Sequence, residues 1–161
     1  MKLLATKLAA GGKYDRLDFV RADGSVATVM QPRQRILPHD LLHYLVETRM
    51  GFVGGFIGLV NGGLDPAFAA QLTHDERQRL CSEEAVQAEA VVESLQAQLW
   101  TGSLDVEMFA YGAALAAERR GVAPPIISTA AAEQLFSEAV MLGERWNALA
   151  AGERLELQWP A

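Results

Sequence analysis

The stretch Glu153-Arg154-Leu155-Glu156-Leu157-Gln158-Trp159 alternates without interruption. Leu155, Leu157 and Trp159 fall on one side, and Arg154, Glu156 and Gln158 on the other. A period of two marks a strand with one face buried and one face in water. Such a strand leaves its backbone N–H and C=O groups orphaned unless it has a neighbour. The other strand-like sequence lies at the opposite end of the chain. Residues 15–21 place Leu17 and Phe19 on one face. Asp23-Gly24 follows, a strong hairpin signal because both residues accept the backbone of a tight turn. Residues 25–31 set Val26, Thr28 and Met30 together, and residues 2–9 carry Leu3, Leu4 and Leu8 before Gly11-Gly12 breaks the chain. This region reads as a three-stranded antiparallel meander, with the closing strand as its fourth member. The expected fold is α+β: an antiparallel sheet of about four strands, three N-terminal and one C-terminal, covered by four or five helices. Because the last strand needs the first three, residues 1–161 read as a single domain.

The middle of the chain supplies the helices. Pro38 suits a first helical turn, and Leu41, Leu42, Leu45, Val46 and Met50 then recur with helical spacing. Residues 51–63 hold glycines four apart (Gly51/Gly55, Gly54/Gly58, Gly58/Gly62). In a helix they form one row open to close approach. Each costs up to ~1 kcal/mol relative to Ala, so a kinked or partly irregular path competes. No Gly-Lys-Ser/Thr follows, which excludes a phosphate loop. Leu64-Asp65-Pro66 marks a turn or a helix start. Thr73 with Glu76 has the spacing of a capping box and opens a long helix running to about Leu99, with Gly102 as its stop. Its stripe is Leu80, Ala85, Ala88, Val91 or Val92, Leu95 and Leu99, and Glu83, Glu84, Glu89 and Glu93 read as its solvated face. Further helices are expected from about Leu104 to Arg120 and from about Thr129 to Ala150. Trp100, Trp146 and Trp159 read as core or interface anchors.

Composition narrows the function. The 161 residues are 50% hydrophobic and 21% charged, an ordinary globular balance. Fourteen Lys and Arg against 20 Asp and Glu leave a net charge of −6, the wrong sign for displacing phosphate counterions, so no nucleic-acid partner is expected. Cys81 is the only cysteine, which excludes an intramolecular disulfide and cysteine-rich zinc sites. It reads as a small buried hydrophobe. The apolar run at the start is cut by Lys7, unlike a signal peptide. The stretch from Met50 to Val60 falls short of the roughly 20 residues of a membrane span. A cytoplasmic, bacterial-type protein without membrane contact is expected. The serines lack the Gly-x-Ser-x-Gly setting of a nucleophile.

One arrangement has metal-site spacing: His39-Asp40-Leu41-Leu42-His43, with Glu47 one turn further. Histidines four apart on a helix differ by about 40° around its axis, so their imidazoles can converge on one ion. Two imidazoles, one carboxylate and a position for water form the ligand set of a catalytic zinc site. His39, His43 and Glu47 are therefore the candidate metal ligands, for a divalent transition metal such as zinc. Asp40 is the candidate catalytic residue. The similarity to the zincin His-Glu-x-x-His motif is local, with Asp40 standing where that motif carries its general base. The stripe is expected at the border between core and solvent. His74, Asp75 and Glu76 form a further patch that could add a ligand.

The run from Leu37 to Glu47, followed by Gly51-Phe52 and Gly54, also resembles a set of small uncharacterised bacterial proteins. These share an N-terminal antiparallel hairpin, a Pro-His-Asp-x-x-His-Tyr-x-Val-Glu helix and a Gly-Phe stretch. The resemblance covers mainly residues 15–60 and, loosely, the Leu-Glu-Leu-Gln-Trp end. It implies that His39, Asp40, His43, Tyr44 and Glu47 match that group's motif, and it supplies no activity.

Two functional readings follow. In the first, the protein is a non-enzymatic interaction or assembly module, a homo-oligomer or the partner of another protein. Its Ala-rich helices and small sheet then need a neighbour, and the histidines hydrogen-bond structurally. In the second, it is a metal-binding protein or metal-dependent hydrolase built on the His39/His43 helix.

Overall fold

The structure, a computed structural model, describes residues 1–74 and 82–160. The elements run β1 (Lys2–Thr6), β2 (Tyr14–Val20), β3 (Val26–Pro32), α1 (His39–Met50), α2 (Phe56–Asn61), α3 (Pro66–His74), α4 (Glu83–Thr101), α5 (Val106–Arg119), α6 (Thr129–Asn147) and β4 (Arg154–Gln158). The four strands form one antiparallel sheet in the order β3-β2-β1-β4. The closing strand does pair with the meander, along β1.

Register turns the sequence pattern into a core. Leu3 sits opposite Phe19 on one side and Leu157 on the other, and Ala5 sits between Leu17 and Leu155. These six residues are buried. Each large apolar side chain so buried contributes roughly 1.5–3 kcal/mol. On β3 the row Val26, Thr28, Met30 faces outward, with Val26 and Met30 more than half exposed. Its inward row is Ala27, Val29 and Gln31, and only Gln31 of these is fully buried. The outward row earns a polar contact instead, the Thr28 hydroxyl donating to Asp18 Oδ1 at 2.6 Å.

Six helices appear among the described residues, against four or five expected. The difference arises in residues 51–74, where the glycine-rich stretch yields the short α2 and Pro66 opens α3. The long helix begins later than Thr73. Asp65 Oδ1 accepts the Ala67 N–H at 2.9 Å and so caps α3, and Thr73 falls inside that helix. The N-cap of α4 is Ser82, whose hydroxyl accepts the Ala85 N–H at 3.1 Å and donates to the Gly54 carbonyl at 3.0 Å. Glu76, Leu80 and Cys81 lie outside the described residues. Helix α5 is capped by Asp105 and α6 by Ser128, and α6 stops at Asn147, short of Ala150. Trp146 and Trp159 are buried, whereas Trp100 is about half exposed. Among the described residues, no helix is long and apolar enough to cross a membrane.

Helix α1 packs against α2, α4 and α6. Its apolar residues Leu41, Leu42, Leu45 and Val46 join the same core as the inner face of the sheet. Being covered on several sides, α1 buries its polar stripe as well. His43 is 1% exposed and Glu47 0%, deeper than the core–solvent border expected of them.

Candidate metal centre

His39 and His43 stand one turn apart on α1, and their rings meet edge to face with centroids 4.8 Å apart. The edge of the His43 ring also rests against Phe56 of α2, which packs in turn on Phe19 of the sheet. The imidazole is thus held by His39 on its own helix and by Phe56 of α2, which the sheet backs through Phe19.

Hydrogen bonds then decide which ring nitrogens face inward. Glu47 Oε1 lies 3.0 Å from His43 Nδ1. The same carboxylate accepts the N–H of Ile57 at 3.0 Å and that of Gly58 at 3.2 Å. A carboxylate that only accepts requires a proton on His43 Nδ1, so the functional end of that ring is Nε2. His39 is set by a chain of amides. Gln34 Nε2 donates to the Leu37 carbonyl at 2.9 Å, so its oxygen faces Gln96. Gln96 Nε2 donates to that oxygen at 3.4 Å, so Gln96 Oε1 faces His39 Nδ1, 3.2 Å away. Each link has one polarity only, because a backbone carbonyl can only accept. His39 Nδ1 therefore carries its proton, and Nε2 is again the end that faces the other ring.

Both Nε2 atoms point at one place, and Glu89 of α4 completes it. The two nitrogens are 3.2 Å apart. Glu89 Oε2 is 3.0 Å from His43 Nε2, and Glu89 Oε1 is 3.7 Å from His39 Nε2. His39, His43 and Glu89 form the group of donors spaced to hold one metal ion. Bonds of 2.0–2.2 Å in a tetrahedral site put neighbouring ligand atoms about 3.3 Å apart; the two nitrogens stand at that spacing, and the 3.0 and 3.7 Å contacts reach different oxygens of the one Glu89 carboxylate. His43 and Glu89 are buried, while the His39 side chain is 29% exposed, so solvent reaches the cluster on the His39 side.

Without a metal, one proton holds these atoms together. Burial is the largest single influence on His43 and acts to lower its pKa. The hydrogen bonds to Glu47 and Glu89 and the two carboxylate charges together outweigh it, pushing the pKa up to about 10. The His39 pKa is lowered, by burial first and by the neighbouring His43 charge second, against weaker opposing pulls from Glu89 and Asp40. His43 thus carries the shared proton and His39 stays neutral, its Nε2 lone pair facing inward.

The expected site residues fall into different places. His39 and His43 converge. Glu47 binds the outer nitrogen of His43 and is not among the converging donors. This is the carboxylate–histidine arrangement that orients a metal ligand from behind. Asp40 is half buried in the first turn of α1 and lines a small cavity together with His39. The patch His74, Asp75, Glu76 lies outside the described residues, apart from the backbone of His74 that closes α3. Glu89 was expected on a solvated face and is 1% exposed. Glu93, four residues on, is exposed and pairs with Arg120 at 2.7 Å. A signal for Glu89 did exist. Ala85, Ala88, Val92 and Leu95 are all buried on α4, and helical spacing sets Glu89 within that stripe, with Gln96 seven residues on.

Two glycines make the cradle for Glu47. A Cβ on Gly55 would stand 2.6 and 2.7 Å from the Glu47 carboxylate oxygens. A Cβ on Gly58 would run into the Val53 carbonyl. The glycine-rich stretch therefore lets backbone approach a buried carboxylate.

Substituting Glu47 tests this arrangement. Glu47→Gln keeps the shape but turns one acceptor into a donor facing backbone N–H groups. The expected loss is about 1–3 kcal/mol of stability in urea unfolding, with a fall of roughly 10–100-fold in zinc affinity. Unchanged stability and affinity would show that the carboxylate orients nothing.

Comparison with protein-family models, with curated proteins and with solved structures finds no match for this chain.

Proposed function

We propose that this is a metal-binding protein whose His39 Nε2, His43 Nε2 and Glu89 carboxylate hold one divalent transition metal, with zinc the best fit. The observation that supports it is the forced orientation of both imidazoles. Each Nδ1 is committed to an acceptor, which leaves two lone-pair nitrogens and a carboxylate within 3.0–3.7 Å of one another. Three acceptors so close repel unless a proton or a cation lies between them. The named side chains include two carboxylates, Glu47 and Glu89, and a divalent cation in place of the single proton balances both.

Two histidines and one glutamate, with access on one side, are the donor set of zinc sites that keep a position for water or substrate. A closed structural site takes four protein ligands. The open side at His39 favours metal-assisted hydrolysis as the reaction class. The interaction-module reading assigns the same residues a purely structural network. It predicts that added metal leaves the protein's stability unchanged.

Thermal unfolding with and without zinc separates the readings. Zinc at 100 times its Kd stabilises by about 2.7 kcal/mol, a rise of roughly 5–10 °C in Tm for a chain of this size. Elemental analysis of tag-free protein should give one transition-metal ion per chain. No stoichiometric metal and no shift in Tm would sink the proposal.

A further inference from the structure

Beside His39 lies a cavity of about 70 Å³ lined by Gln31, Pro32, Gln34, His39 and Asp40. A single water needs at least roughly 10–15 Å³, so the space admits more than one water or one small organic group. Gln31 comes from the inward row of β3 and is 3% exposed. Its Oε1 and Nε2 are both buried, and neither has a hydrogen-bond partner among the described residues. Buried amides are nearly always satisfied, and one orphaned at both atoms calls for an explanation. Its cross-strand neighbour on β2 is Asp15, also 3% exposed and held by Arg33 at 2.7 Å, so this end of the inward row is polar where Leu17 and Phe19 are apolar. A glutamine there is a donor and an acceptor held beside this cavity.

We infer that this cavity is a recognition subsite for a neutral primary carboxamide group, bound by Gln31 next to the metal position. The chemistry follows from the two orphaned atoms. A primary carboxamide offers one N–H and its C=O on the same side, so it closes a pair of hydrogen bonds with Gln31 Nε2 and Oε1; a trans peptide amide points the two apart. A carboxylate has acceptors only and would set an oxygen against Oε1. An ammonium has donors only and would set an N–H against Nε2. His39 links the two places: it lines the cavity, and its Nε2 belongs to the donor cluster. A bound amide therefore lies alongside the side of the cluster that solvent reaches. The subsite rests on the metal reading for its role in a reaction, though not for its binding.

The test follows the side-chain NH₂ signals of Gln31 by NMR while acetamide, sodium acetate and methylammonium chloride are added separately. It is run on zinc-loaded and on metal-free protein. Acetamide should shift the Gln31 signals saturably, with the other two at least tenfold weaker. Gln31→Leu, similar in size and without polar atoms, should keep or raise the Tm and abolish the acetamide response at the neighbouring backbone amides. Equal responses to acetate, a response that survives in Gln31→Leu, or no response to acetamide in either form would each overturn the subsite. A Tm that falls in Gln31→Leu without any acetamide response would assign Gln31 to ordered water and likewise overturn it. Zinc binding without acetamide binding rejects the subsite alone. Acetamide binding without zinc binding rejects the metal reading and leaves the subsite standing.

Discussion

Replacing His43 with alanine is expected to abolish zinc binding and to lower the Tm of the metal-free protein by roughly 10 °C. The two effects have one source. The His43 ring bridges two carboxylates, with Nδ1 3.0 Å from Glu47 and Nε2 3.0 Å from Glu89. All three side chains are at least 98% buried. Removing the cation from a buried ion pair leaves uncompensated charge and costs about 3–5 kcal/mol. At roughly 2–4 °C per kcal/mol for a chain of this size, the shift is large. Stability alone cannot separate a metal ligand from a structural histidine, since both readings predict that loss. His39→Ala separates them. The His39 side chain is 29% exposed and neutral, so its removal leaves no buried charge unpaired and costs less stability than removal of His43. It still removes one of three donors, so the zinc-induced rise in Tm should vanish. A His39→Ala protein that binds zinc as tightly as the wild type would remove His39 from the donor set, and the metal centre with it.

The sheet was legible from sequence because its signals are local and redundant. The closing strand alternates strictly, and Asp23-Gly24 fixes the hairpin at Gly24, whose φ of 85° suits glycine. Helix α1 was legible for the same reason. The site was only half legible. Spacing of four put His39, His43 and Glu47 on one stripe, and all three do stand there. Spacing carries no information on which ring nitrogen faces which neighbour. His43 has one nitrogen toward Glu47 and the other toward His39 and Glu89, so the carboxylate next along the helix supports the ring from behind. The third donor then comes from another element, 46 residues away in sequence. Its carboxylate was assigned to solvent because charged residues on long helices usually are solvated. The role of the glycines was hidden for a related reason. Four-residue spacing suggests a row for helix packing, but α1 ends at Met50 and α2 begins only at Phe56, and Cβ atoms on Gly55 and Gly58 would meet a side chain and a carbonyl instead.

Gly55→Ala is the second substitution with a large expected effect, and its cause differs from the usual one. Gly55 has φ −76° and ψ −172°, extended backbone that alanine adopts without strain. On backbone grounds alone alanine would stabilise by about 0.4–1 kcal/mol, through the unfolded state. The obstacle is contact. The added methyl would stand 2.6 and 2.7 Å from the Glu47 oxygens, where ordinary contacts begin near 3.4 Å. Glu47 cannot step aside cheaply, because it is fully buried and holds His43, Ile57 and Gly58 at once. Overpacking and a displaced buried acceptor together cost about 2–4 kcal/mol, or about 8 °C in Tm. Zinc affinity should fall as well, because the methyl pushes on the group that orients His43. A double-mutant cycle isolates the contact. Glu47→Asp withdraws the carboxylate by one methylene, so alanine at position 55 in that background should cost less than about 1 kcal/mol. An equal cost in both backgrounds, or no cost in the wild type, would mean that Gly55 does not make room for Glu47.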